Sequence, residues 1–200
     1  HPDYVAKIND DNKFPIKKFG ALAEYLLKNR IVKKFHIPEE CSINTLKSSH
    51  SLEYINHIKN KTLNIKHQKK IGFPINDSVV RRSFVATGGT VLASKLALDS
   101  KLACNTAGGS HHASFNFGAG YCVFNDVAVA ANYLKNRGYA KKILILDLDV
   151  HQGNGNSEIF QNDKDVLTFS MHCASNYPAK KSESDIDIEL KDNMEDQEYL

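Results

Sequence analysis

The sequence predicts an α/β protein in which a parallel sheet is flanked by helices. Residues 142–148 (KILILDL) and 166–171 (VLTFSM) are short, mostly apolar runs, which are typical of strands covered on both faces. A weaker strand at 102–105 and a helix at 125–137 precede the first of these runs, and the three form a β-α-β unit. In such a sheet, a site is expected where loops leave the carboxyl ends of the strands.

The helices are predicted from apolar residues that recur at helical spacing. The helix at 125–137 is the best defined, because Asn125 is suited to cap its first turn. A second helix is predicted at 79–98, with an interruption at Gly88 and Gly89. A third apolar stripe is formed by Phe19, Leu22, Ala23, Leu26 and Leu27.

The composition indicates a single soluble globular domain. Hydrophobic residues make up 42% of the 200 residues and charged residues 24%, and the net charge of +3 requires no nucleic acid or anionic membrane as partner. No apolar run is long enough to cross a bilayer. The four cysteines form no C-x-x-C pair, which suits reduced thiols in a cytoplasmic protein. The polar stretch at 59–70 is predicted to be a surface loop or a frayed helix end.

The strand at 142–148 runs into Asp147, Asp149 and His151, which alternate with apolar residues. Because side chains alternate along a strand, these three should point to the same side. Two carboxylates and an imidazole crowded together are costly without a cation, and zinc accepts both ligand types. The alternative is a strand end whose polar residues only cap the next segment. The glycine-rich turn at 152–155 (QGNG) allows close backbone approach and could supply outer contacts.

A second group of polar residues follows the weak strand, in the segment GGSHHA at 108–113. Adjacent histidines after two glycines are uncommon in a plain surface loop. Beside a metal site they suggest general acid–base catalysis, because imidazole titrates near neutral pH. The turn GAGYC at 118–122 adds an aromatic residue nearby.

Together, GGSHHA, GAGYCVFND and LDLDVHQGNG resemble the histone deacetylase family in order and spacing. The resemblance runs from Phe73 to Tyr177, and more loosely over the whole chain. The Gln and Asn of HQGNG are closer to the class II and class IV branches and their bacterial relatives than to class I. The resemblance implies the arginase/deacetylase fold and a Zn²⁺-dependent hydrolase that removes acetyl or other acyl groups from lysine or related amines.

The resemblance also implies roles for individual residues. Asp149 and His151 match zinc ligands. His111 matches the general base that activates water, and His112 matches its neighbour, which orients the water and helps protonate the leaving amine. Asn154 stands where class I members have an Asp paired to the second histidine, and a neutral partner should leave that histidine less basic.

A structural K⁺ and a substrate channel are implied in the same way. Asp147 matches the carboxylate that holds the first histidine and touches the potassium ion, and Ser170 and Met171 match positions that supply oxygens to that ion. Gly120 matches the residue whose carbonyl receives the substrate amide N–H. The aromatic walls of the acyl-lysine channel are matched by Tyr121 and Tyr177.

The family's third zinc ligand and its transition-state tyrosine are expected beyond Leu200. Residues 1–200 are therefore expected to be a single deacetylase domain that is incomplete at its C-terminus, with its activity in this form left open. The substrate is an acyl-lysine protein or a small acylated amine such as an acetylated polyamine, without direct nucleic acid or membrane contact, and the oligomeric state is open. Two rivals remain, an inactive acyl-lysine-binding fragment and an arginase-like dinuclear manganese hydrolase. Gly153 argues against the latter, because it stands where that chemistry needs a second carboxylate.

Overall fold

The computed structural model describes residues 1–200 and contains one three-stranded sheet together with several helices. The strands are β1 (Ile143–Asp147), β2 (Val166–Cys173) and β3 (Ile186–Leu190). After a short 3-10 helix at Pro2–Tyr4, the helices are α1 (Lys18–Lys28), α2 (Ile43–Leu46), α3 (Leu52–Lys59), α4 (Ile65–Ile71), α5 (Asp77–Ser100), α6 (Asp126–Asn136), α7 (Asn154–Phe160) and α8 (Asp196–Tyr199).

The sheet is parallel throughout, in the order β1-β2-β3. The register pairs Ile143 with Val166 and Asp147 with Ser170, so the polar end of β1 lies beside a serine of β2. Helix α7 connects these two strands and packs on β2. The predicted α/β class, with a parallel sheet and flanking helices, is confirmed.

Two groups of buried residues hold the fold together. A cluster of 21 side chains joins the N-terminal segments to α5 and α6. A smaller cluster packs α6 and α7 onto one face of the sheet, through Ala128, Ala131, Ile145, Phe160 and Val166. Helix α6 contributes to both, because Val129 points into the large cluster while Ala128 points to the sheet. It begins at the Asn125 cap, as predicted.

The opposite face of the sheet is exposed. Leu144 and Leu146 of β1 are 57% and 56% exposed, and Leu167 of β2 is 43% exposed. The expectation that the strands are covered on both faces is therefore wrong for residues 1–200, because the helices that contact the sheet lie on the side of Ile145 and Val166. No helix combines the length and apolarity that crossing a bilayer requires.

Three local predictions also differ from the structure. Residues 102–105 form no strand, because Leu102 is 78% exposed and the Asn105 side chain instead donates hydrogen bonds to Ala86 O and Thr90 Oγ1. Helix α5 continues through its glycines without a break. The polar stretch at 59–70 includes most of α4, which starts at an Asn64 cap.

The paired glycines of α5 allow close packing rather than ending the helix. A Cβ on Gly88 would lie 2.0 Å from the main-chain oxygen of Glu39, and one on Gly89 would lie 2.2 Å from Tyr4 Oη. The segment around Glu39 is fixed there because the Cys41 N–H donates to Phe84 O at 3.0 Å. A main-chain oxygen cannot rotate away, so a side chain would force the segment off the helix.

We predict that Gly88→Ala lowers the free energy of unfolding by about 1–3 kcal/mol, since the clash outweighs the better helix propensity of alanine. Gly20→Ala in α1 is the matched control, because its Cβ would meet only Val5 Cγ2, at 3.3 Å. The control should be neutral or slightly stabilising. Chemical denaturation of both variants measures the difference, and equal stabilities would contradict the packing role of Gly88.

Candidate active site

The candidate site lies where the chain leaves the carboxyl end of β1. The Asp149 N–H donates to Asp147 Oδ1 at 3.1 Å, and the His151 N–H donates to Asp149 Oδ1 at 2.8 Å. The His151 ring also approaches this oxygen, with Nδ1 at 3.0 Å. The intervening Leu148 and Val150 are half exposed and line a different cavity. The predicted alternation therefore holds beyond the end of the strand.

His111 is held by the end of β1. Its Nδ1–H donates to Asp147 Oδ2 at 2.5 Å, and both side chains are almost completely buried. The opposite ring nitrogen, Nε2, lies 3.8 Å from Asp149 Oδ1. With Nδ1 protonated against the carboxylate, Nε2 is the free basic nitrogen of His111, and it faces the cavity that Asp149 lines.

His112 is held by an amide instead of a carboxylate. Its Nδ1–H donates to Asn154 Oδ1 at 2.8 Å, and both residues are buried. Burial, together with the charge of neighbouring His111, lowers the pKa of His112 to about 4, and the hydrogen bond to Asn154 offsets this only in part. His112 is therefore neutral at pH 7, and its burial is the main reason.

Asp149 is in the opposite electrostatic situation. Burial alone would raise the pKa of its carboxyl. The main-chain N–H of His151 and the charges of His111 and His151 more than offset this and hold the pKa below its usual value. Asp149 is therefore ionised at pH 7 and offers a negative oxygen to the cavity.

Two glycines let α7 approach the histidine pair. A Cβ on Gly153 would lie 2.1 Å from Asp147 Oδ2, and one on Gly155 would lie 2.3 Å from Ala113 O. The Gly155 N–H donates to His111 O at 2.8 Å, which fixes the start of α7 against the histidine loop. The predicted close backbone approach in the QGNG turn is seen here.

His50 and Asn125 brace the histidine loop from behind. His50 Nδ1–H donates to Ser114 O at 2.9 Å, and its Nε2 accepts the Asn125 N–H at 2.8 Å. Asn125 Nδ2 donates in turn to Ala113 O and to Asn156 Oδ1. Burial lowers the pKa of His50 to about 4. No sequence pattern predicts this support, because His50 and Ser114 are far apart in the chain and His50 lies in no recognisable motif.

A cavity of about 940 Å³ opens beside these residues. The Tyr177 ring stands nearly perpendicular to the His112 ring with 4.8 Å between centroids, and it lies 6.2 Å from the His151 ring. A Cβ on Gly120 would lie 2.5 Å from His112 Cδ2, so only glycine fits at position 120 beside the His112 ring. Gly120 and Tyr177 are thus beside the histidine pair.

Tyr121 lies on the same cavity wall. Its ring centroid is 5.0 Å from that of Phe14 and 5.3 Å from that of Phe73, and its backbone has a positive φ of 64°. Sequence reasoning missed Phe14, which comes from the N-terminal segment. It also missed the cationic side chains on the cavity wall, which are Lys18, Lys69, Lys70 and Arg82.

Ser170 and Met171 lie on opposite faces of β2. Ser170 is buried, is in register with Asp147, and accepts the Gly153 N–H at 3.4 Å. The Met171 side chain lines the cavity of Leu148 on the other face, so only its main chain could join Ser170. No group of three or more His, Cys, Asp and Glu side chains in residues 1–200 is arranged to hold a metal ion.

A parallel sheet with flanking helices, with a histidine pair packed against an Asp-x-His turn at a strand end, defines a protein of the arginase/deacetylase fold. The chain belongs to the histone deacetylase family, since the model of the histone deacetylase domain matches residues 13–200.

Relatives differ in how much of their length the chain spans. The chain is 44% identical to an uncharacterized protein of Picosynechococcus sp., and the match covers all of this chain and 67% of that relative. It is 29% identical to Histone deacetylase 2 of Arabidopsis thaliana over 82% of the chain and 45% of the relative. It is also 29% identical to the acetoin utilization protein AcuC of Staphylococcus aureus, over 83% of the chain and 46% of that relative. The chain therefore spans about half the length of these last two relatives.

Solved structures agree on the fold. An HDAC homolog complexed with SAHA superposes with a TM-score of 0.77 at 23% identity, over 93% of this chain and 56% of that one. The HDA15 HD domain gives a TM-score of 0.73 at 22% identity, over 90% and 54% of the two chains.

We predict that Asn154→Asp raises the pKa of His112 above its present value of about 4, because a carboxylate beside Nδ1 stabilises the imidazolium form. An NMR titration of the His112 ring protons measures the change. Asn136→Asp adds the same charge at an exposed position of α6 and should leave the titration where it was. An unmoved His112 pKa in Asn154→Asp would show that the two side chains do not interact in solution.

Proposed function

We propose that the protein removes acetyl or other acyl groups from lysine or related amines by zinc-assisted amide hydrolysis. The observation that carries this proposal is the histidine pair, whose Nδ1 atoms are engaged by Asp147 and Asn154 beside the cavity. Asp149 and His151 line the same cavity. Membership of the histone deacetylase family supports the same chemistry.

Asp149 and His151 fit a zinc ion as ligands. A carboxylate oxygen and an imidazole nitrogen are donors that zinc accepts, and these two side chains meet at one turn. When bound, zinc supplies Lewis-acid polarisation of the acyl carbonyl and lowers the pKa of water towards ~7. Catalytic zinc usually has three protein ligands, so we place the third outside residues 1–200. Residues 1–200 would then form one deacetylase domain that is completed by further residues.

His111 is proposed as the general base. The carboxylate of Asp147 fixes its Nδ1–H tautomer and stabilises the imidazolium that forms when Nε2 takes a proton from water. His112 is neutral at pH 7, so its Nε2 can accept a hydrogen bond and orient the attacking water. The histidine pair then returns a proton to the nitrogen of the leaving amine.

The channel is proposed to bind the acylated amine through its apolar stem. Tyr121 and Tyr177 exclude water from the methylene groups, and the carbonyl of Gly120 receives the substrate amide N–H. An acyl-lysine protein and a small acylated amine both fit this chemistry. A structural potassium ion at Asp147, Ser170 and the main chain of Met171 stays a prediction, as does a cytoplasmic location.

Gly153 argues against the arginase-like alternative. A second bridging metal would need a carboxylate at position 153, where a Cβ would already lie 2.1 Å from Asp147 Oδ2. We therefore propose a single metal ion in this site.

We expect His151→Ala to abolish zinc binding and activity together, because it removes one of only two proposed ligands in this chain. Elemental analysis of the purified protein and hydrolysis of an acetyl-lysine peptide measure the two effects. His57→Ala, which removes a partly exposed histidine side chain from α3, should change neither. Full zinc occupancy in His151→Ala would show that His151 is not a zinc ligand.

We expect His111→Ala to lower kcat on the same peptide by ~100- to 10,000-fold, the usual contribution of general acid–base catalysis, while zinc remains bound. Loss of turnover with zinc still bound would distinguish the proposed general base, His111, from the proposed zinc ligands. Near-normal turnover in this variant would mean that another residue takes the proton.

A further inference from the structure

Glu158 contacts Asn154 on its own helix and two serines that are distant in sequence, Ser114 and Ser182. It lies one helical turn after Asn154 on α7, and its Oε1 accepts Asn154 Nδ2–H at 3.5 Å. The same oxygen accepts the Ser182 hydroxyl at 2.9 Å, and Oε2 accepts the Ser114 hydroxyl. Ser114 follows His112 by two residues, so Glu158 ties the histidine loop to α7.

The contact with Asn154 determines which way that amide faces. An amide has an acceptor oxygen at one end and a donor nitrogen at the other. With Nδ2 towards Glu158, the oxygen faces His112 Nδ1 at 2.8 Å. In the flipped orientation, the Asn154 oxygen would face the Glu158 carboxylate, and two acceptors would meet without a proton between them. The carboxylate therefore excludes the flipped amide.

The orientation of the amide in turn fixes the proton on His112. Because an oxygen faces Nδ1, this nitrogen must carry the hydrogen, and Nε2 is left as an acceptor. A flipped Asn154 would present a donor to Nδ1 and would favour the opposite tautomer, in which Nε2 carries the hydrogen. That tautomer cannot accept a hydrogen bond from water at Nε2.

We propose that Glu158 is a positioning residue, which acts through Asn154 to hold His112 in the Nδ1–H tautomer. The effect on turnover rests on the proposed deacetylase function, whereas the effect on the tautomer does not. Glu158 touches neither the proposed substrate channel nor the Asp149–His151 turn; it lines a separate polar cavity with Lys180, Ser182 and Glu183.

The test compares three variants of the intact protein by ¹⁵N NMR of the histidine ring nitrogens and by steady-state kinetics on an acetyl-lysine peptide. Glu158→Met keeps the length of the side chain but removes both acceptors. Glu158→Gln keeps one acceptor for Asn154. Glu183→Met is the control, because Glu183 is an exposed carboxylate on the wall of the same polar cavity.

In Glu158→Met, His112 should change from one tautomer to a mixture, and kcat should fall by about 10-fold without a change in KM, as is typical when an outer hydrogen-bond partner is lost. Glu158→Gln should restore the wild-type spectrum and most of kcat. Glu183→Met should match wild type in both measurements. If Glu158 only packs against its neighbours, Met and Gln should behave alike.

A single Nδ1–H tautomer that persists in Glu158→Met would overturn the proposal. The unmutated protein provides a test that does not depend on any variant folding, since an Nε2–H or mixed tautomer of His112 there would also overturn it. A failure of the proposed function looks different: no acylated amine is hydrolysed, yet the tautomer still changes in Glu158→Met.

Discussion

His111 Nδ1 and Asp147 Oδ2 lie 2.5 Å apart, and neither side chain is more than one-tenth exposed. This contact joins the loop after α5 to the end of β1, so the relative position of the two halves of the site depends on it. The space around it leaves no room for a side chain at Gly153. Asn156 Nδ2 reaches the same carboxylate oxygen at 3.4 Å. The glycine-rich turn is therefore a consequence of bringing a histidine and an aspartate together in the interior.

The two adjacent histidines differ in the group that accepts the hydrogen bond from Nδ1. Asp147 offers His111 Nδ1 a carboxylate acceptor, while Asn154 offers His112 Nδ1 only a neutral amide oxygen. If both histidines were backed by carboxylates, two cations would be favoured side by side, with ring centroids only 4.1 Å apart. The amide of Asn154 avoids a second carboxylate behind the pair, and His112 stays neutral at pH 7.

Much of the site followed from local sequence patterns. Alternation along β1 predicted that Asp147, Asp149 and His151 share a side, and apolar runs predicted β1 and β2. Contacts between distant segments could not be predicted in this way. No local pattern links His50 to Ser114 or places Phe14 beside Tyr121. A glycine pair in a helix has the same local appearance whether it breaks the helix or allows close packing, so α5 was predicted with an interruption. β3 is short and alternates charged with apolar residues, and it was missed.

The buried His50 makes the brace behind the histidine loop sensitive to acid. Its folded-state pKa of about 4 lies below the usual value, so between roughly pH 6.5 and pH 4 the unfolded chain takes up a proton that the folded chain refuses. Stability should therefore decline as the pH falls through this range, and His112 adds to the decline for the same reason. Once protonated, His50 Nε2 can no longer accept the Asn125 N–H. The start of α6 and the loop that carries the histidine pair would then lose this link, so acid near pH 4 would loosen this part of the fold.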